Sequence, residues 1–178
     1  MMTAHDISVS LMDRRIAGLA ALAIGIHVLE AAFPSPVPGI KPGLANLVSL
    51  LAFLLYGFRI AVWVTLLRVV AGSIILGTFL SPTFVLSLGG ALSVLLILGM
   101  VQSHKRYYGL SAQGIAVLCA LMHTASQFAL AYYLIVPHPG LLVLLPVLLS
   151  FALAFGLLNG MLTNQVYQRL NSSKGQIN

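Results

Sequence analysis

The chain has 178 residues, of which 60% are hydrophobic and 7% charged, with a formal net charge of +6. A soluble domain carries about a quarter charged residues, so this composition excludes a water-soluble fold. Each bilayer crossing takes roughly twenty apolar residues, which allows about five to seven spans and leaves no room for a separate soluble catalytic domain. The mean hydropathy of +1.03 agrees.

In chain order, Met1 to Leu11 is polar and lacks the small-residue cleavage pattern of a signal peptide, so the first span is expected to be retained. That span is read from Arg15 to Phe33, and Pro34, Pro36, Pro38 and Gly39 interrupt the chain after it. The second span, Leu44 to Tyr56, covers only about 20 Å as a helix against a hydrocarbon core of roughly 30 Å, so it is expected to be tilted or re-entrant. A third span follows from Ile60 to Leu80 and a fourth, after Pro82, from Thr83 to Val101. The fifth runs from Ala112 to Val136 and the sixth, after Pro137 and Pro139, from Leu141 to Tyr167. The expected organisation is an N-terminal tail (1–13), one all-α integral membrane domain of six helices (14–168) and a C-terminal tail (169–178).

Arg14, Arg15, Arg59, Lys105, Arg106, Arg169 and Lys174 fall on one side of an alternating six-span topology, and Lys41 falls opposite. By the positive-inside rule both termini are cytoplasmic. The basic residues are split among separate segments, so the positive charge reports topology and not nucleic-acid binding.

Polar groups held at membrane depth are costly and face a cavity, a partner or a pathway. His27 and Glu30 are three residues apart and share a helix face, where they contact a ligand or satisfy each other. Arg68 lies nine residues beyond Arg59, about 13 Å deeper, too far for comfortable snorkelling. It reads as either a structural ion pair, for instance with Glu30, or a recognition site for an anion. His123 and Gln127 are four apart on one face, with Thr124 and Ser126 beside them, and are either an interhelical hydrogen-bond pair or solute contacts. Ala17, Ala21 and Gly25, then Gly72 with Gly77, and Gly89 with Gly90, are small residues at helix-packing positions, used within one protein or, on the first helix, for docking another subunit. Cys119 reads as a buried structural thiol, and Tyr132 with Tyr133 as part of the interfacial aromatic belt.

The stretch Glu30-Ala-Ala-Phe-Pro-Ser-Pro-Val-Pro-Gly-Ile-Lys-Pro-Gly-Leu-Ala-Asn46 resembles the signature loop of the Gx transporter family. That family is often labelled heptaprenyl diphosphate synthase component I and is related to the substrate-binding S-components of energy-coupling-factor vitamin transporters. Leu67-Arg68 with Gly72-Ser73, Ser87-Leu88-Gly89-Gly90 with Ser93, and His123 with Gln127 extend the resemblance along most of the chain. Pro42 departs from it where an aliphatic residue is expected, and Thr124 where Asn is usual. The resemblance implies a six-helix bundle in a bacterial cytoplasmic (inner) membrane, with a solute pocket toward the outer face closed by the first loop. It also implies a first-helix face, here Ala17 and Ala21, that meets a transmembrane coupling subunit driven by a pair of ATPases.

The synthase label does not fit the residues, since prenyl diphosphate synthases hold magnesium on clustered aspartates. Asp and Glu total three here, with Asp6 and Asp13 in or beside the N-terminal tail. No enzymatic activity and no cofactor are expected, and no Walker-type loop is present to hydrolyse ATP within this chain. The expected function is binding of a small polar, anionic or vitamin-like solute for uptake, with Lys41 and Arg68 attracting it. Asn46, His123 and Gln127 would supply directional hydrogen bonds, and Glu30 would receive a cationic part or hold the loop. The rival readings are a non-transporting subunit that assembles a larger complex and a solitary ion-coupled carrier using His27, Glu30 and His123.

Overall fold

The computed structural model describes residues 10–32, 43–103 and 109–175. They form six α-helices: α1 (Leu11–Ala32), α2 (Leu44–Tyr56), α3 (Phe58–Ile75), α4 (Pro82–Ser103), α5 (Ala112–Leu130) and α6 (Leu145–Gly175). Five helical stretches are long and apolar enough to cross a membrane, and α2 is the short exception. Many large apolar side chains point outward, among them Leu22, Leu29, Trp63, Leu96 and Leu158. Such a surface is solvated by lipid, and the protein is a membrane-embedded helical bundle.

Local chemistry explains most of the helix ends. Ser10 and Asp13 cap α1 reciprocally: the Asp13 N–H donates to Ser10 Oγ at 3.1 Å and the Ser10 N–H to Asp13 Oδ2 at 3.0 Å. Ser111 accepts the Gly114 N–H at 3.2 Å and starts α5. A single residue, Gly57, ends α2 and begins α3 at φ 88° and ψ 178°, a conformation that a Cβ would disfavour. The third span ends at Ile75, earlier than the expected Leu80. Gly77 and Leu80 both take positive φ there and turn the chain toward Pro82. After α5 the helix widens into a π-turn segment (Ala131–Ile135), and a 3₁₀ segment (Pro139–Leu144) leads into α6. α6 has 31 residues, about 46 Å against a core of roughly 30 Å. It continues through Arg169, so the segment expected as a C-terminal tail begins as helix.

α1 packs on α2 and α3, α3 on α4, α4 on α5, α5 on α6, and α6 returns to α2, which also packs on α3. The last five helices therefore close a ring, and α1 lies against its outside. Ala17, Ala21 and Gly25 on α1 are exposed, and no atom would lie within 4 Å of a Cβ at Gly25. The tightest backbone approach is elsewhere. A Cβ at Gly160 would sit 2.7 Å from Gln113 Cα, and one at Gly156 would sit 3.0 Å from Val117 Cα. This small-xxx-small pair lets α6 and α5 meet backbone to backbone. α4 and α5 are joined by hydroxyl donors, Ser93 Oγ to the Met122 carbonyl and Ser126 Oγ to the Gly89 carbonyl, both at 3.2 Å. Arg15 lies over the Tyr56 ring at 4.8 Å, tying the start of α1 to the end of α2.

Candidate functional site

All six helices contribute to one cavity of about 330 Å³. α1 brings His27 and Glu30, α2 brings Asn46, α3 brings Arg68, and α5 brings His123, Thr124 and Gln127. The candidate residues Glu30, Asn46, Arg68, His123 and Gln127, far apart in sequence, thus line one cavity. Lys41 lies outside the described residues.

Arg68 is the charge at the centre of the site. It is 5% exposed, and its Nε has no hydrogen-bond partner among the described residues. A buried donor left unpaired costs on the order of 1–3 kcal/mol, more for a charged group. The Glu30 carboxylate acts on Arg68 electrostatically but is also committed to the backbone. Its Oε1 accepts the Leu44 N–H at 2.7 Å. Because the α2 N-cap is Gly43, which has no side-chain oxygen, Glu30 supplies from α1 the capping carboxylate that the positive end of α2 would otherwise lack. Of the two expected roles for Glu30, holding the chain after the first loop is the one with a visible contact.

Two further polar atoms at the cavity, Asn46 Oδ1 and His123 Nδ1, are buried without a partner among the described residues. Glycines position the two imidazoles. A Cβ at Gly90 would lie 2.5 Å from His123 Cε1, and one at Gly72 would lie 2.7 Å from His27 Cδ2. Each ring therefore occupies space that any other residue on the facing helix would fill. Gly72 and Gly90, read in sequence only as packing residues, also make room for cavity-lining side chains.

Part of the lining is apolar. α6 contributes Leu148, Phe151, Ala152 and Phe155, and the two phenyl rings stack at a centroid distance of 6.3 Å. Asn159 also lines the cavity, and its Nδ2 donates to the Gly43 carbonyl at 3.5 Å, a long contact that links α6 to the start of α2. Cys119 lines the cavity too. Sequence reasoning missed Phe151, Phe155 and Asn159. Asn159, an amide between Gly156 and Gly160 in an apolar span, carried a usable signal; the phenylalanines did not, because lipid-facing rings look the same.

The family described as heptaprenyl diphosphate synthase component I matches residues 19–166. The chain belongs to that family. No curated protein and no solved structure matches it. In this family member the matched region runs from α1 to α6 and includes every residue named above as lining the cavity. Among the described residues, no group of three or more His, Cys, Asp or Glu side chains is placed to hold a metal ion. Asp13 and Glu30 sit near opposite ends of α1, about 25 Å apart along the helix.

Proposed function

We propose that the protein is a solute-binding membrane subunit for uptake of a small polar, anionic or vitamin-like molecule. The observation that carries this reading is a charged side chain, Arg68, buried at a cavity with its Nε unpaired among the described residues. A purely structural arginine would be expected to spend its donors on protein acceptors, whereas a recognition arginine keeps them for the ligand. A largely apolar wall with a few convergent polar groups is the usual make-up of a small-molecule pocket.

The synthase reading has little physical support. Its chemistry needs acidic side chains that converge on magnesium, and the chain has three acidic residues, two of them near opposite ends of one helix. The protein acts as a binding subunit and not as an enzyme.

Energy for uptake comes from partners in this reading. The exposed face of α1 with Ala17 and Ala21 meets a transmembrane coupling subunit that carries a pair of ATPases. The membrane is the bacterial cytoplasmic membrane, with both termini on the basic, cytoplasmic side. Native mass spectrometry of the protein purified in detergent tests the binding function. A small molecule should co-purify, and should be lost in Arg68→Ala and His123→Ala variants that still fold. A well-folded Arg68→Ala that retains the molecule ends the role assigned to Arg68. Protein that is empty in repeated preparations and forms a stable complex with other subunits favours the assembly-subunit reading.

A further inference from the structure

The walls of the cavity differ in chemistry, and this narrows the class of solute. α1, α2, α3 and α5 line the cavity with Arg68, Asn46 and His123, with Glu30 already accepting the Leu44 N–H. α6 lines the same cavity with Phe151, which is 41% exposed, and Phe155, the two rings stacked on each other. A fully polar solute would leave the aromatic wall against water or against unmatched polar atoms. A fully apolar one would leave the buried Arg68 Nε without a partner.

Resting on the proposed binding function, we infer that the solute is a small amphipathic anion. Its carboxylate or phosphate meets the Arg68 guanidinium, and an unsaturated or aromatic body lies along Phe151 and Phe155. A donor group next to the anion would satisfy Asn46 Oδ1, which is buried without a partner among the described residues. Glu30, the one acidic residue lining the cavity, already accepts the Leu44 N–H and faces the Arg68 charge, so the anion is assigned to Arg68. The cavity of about 330 Å³ accommodates a small molecule of this kind.

Four matched probes separate these features: 4-phenylbutyrate, its neutral amide, the corresponding 4-phenylbutylamine, and butyrate. Equilibrium dialysis against protein in phosphatidylcholine nanodiscs, with empty nanodiscs subtracting lipid partition, gives each affinity. The expected result is that 4-phenylbutyrate binds at least about tenfold more tightly than the amide and the amine, the difference a charge-assisted contact supplies. Butyrate should be weaker than 4-phenylbutyrate by about tenfold or more, the contribution of burying one ring. Arg68→Gln should remove the preference for the carboxylate over the amide. Phe155→Ala, or Phe155→Leu if the first variant unfolds at a lower temperature, should remove the preference for 4-phenylbutyrate over butyrate.

Equal binding of amide and carboxylate overturns the anionic assignment, and equal binding of butyrate overturns the aromatic one. Retention of both preferences in a folded Arg68→Gln variant places the site elsewhere. If none of the four probes binds at millimolar concentration while a solute co-purifies, this inference fails and the binding function stands. If neither occurs, both fail.

Discussion

Gly160 offers the sharpest mechanical test of the fold. A Cβ there would lie 2.7 Å from Gln113 Cα and 3.1 Å from Ala116 Cβ, against an optimum of about 3.5–4.0 Å between carbons. The nearer atom is backbone and cannot rotate away, so α5 and α6 must separate by roughly 1 Å in a Gly160→Ala variant. Overpacking of this kind costs about 1–3 kcal/mol, offset by at most about 1 kcal/mol from replacing glycine with a better helix former. We expect a net loss of about 1–2 kcal/mol for Gly160→Ala and a larger loss for Gly160→Leu. Gly25→Ala is the control, because nothing lies within 4 Å of its Cβ; it should be neutral or slightly stabilising. Reversible unfolding in mixed micelles under increasing denaturing detergent measures both. Ala116 and Ala120 line the cavity on the same stretch of α5, so Gly160→Ala should also weaken solute binding. A Gly160→Ala protein as stable as the Gly25→Ala control would falsify the close α5–α6 approach.

Two further outcomes follow from the site. Gly90→Ala should displace the His123 ring, which would otherwise lie 2.5 Å from the new Cβ, and reduce affinity for the co-purifying solute at least severalfold with little loss of helix content by circular dichroism; unchanged affinity would show that His123 is not a contact. Glu30→Gln keeps the shape but removes the charge that caps α2. The cost is about 1 kcal/mol, seen as faster hydrogen exchange at the first amides of α2 with the exchange of α5 unaltered, and equal exchange at Leu44 would remove the capping role.

The spans were legible in the sequence because bilayer thickness acts on each helix separately. The run of apolar residues and its Pro and Gly interruptions carry the needed information, and the short α2, Leu44–Tyr56, is read residue for residue. End positions were less legible. The stop of α3 at Ile75 depends on positive φ at Gly77 and Leu80, and a leucine in that conformation gives no warning. The rarity of polar groups in so apolar a chain singled out Glu30, Arg68, His123 and Gln127, since each must have a reason to be there, and the family resemblance added Asn46.

Only the tertiary structure decided how those groups divide their tasks. It turned Glu30 into the cap of α2 and made Gly72 and Gly90 the seats of two imidazoles. It brought the α6 phenylalanines and Arg68 to one cavity. It also moved the closest helix contact to Gly156 and Gly160, away from the exposed small residues of α1. The physical reason is that membrane insertion is decided by the composition of one helix at a time, whereas a cavity is defined by which faces meet. In a chain that is apolar on every side, hydrophobic periodicity does not mark those faces, and close packing between helices does.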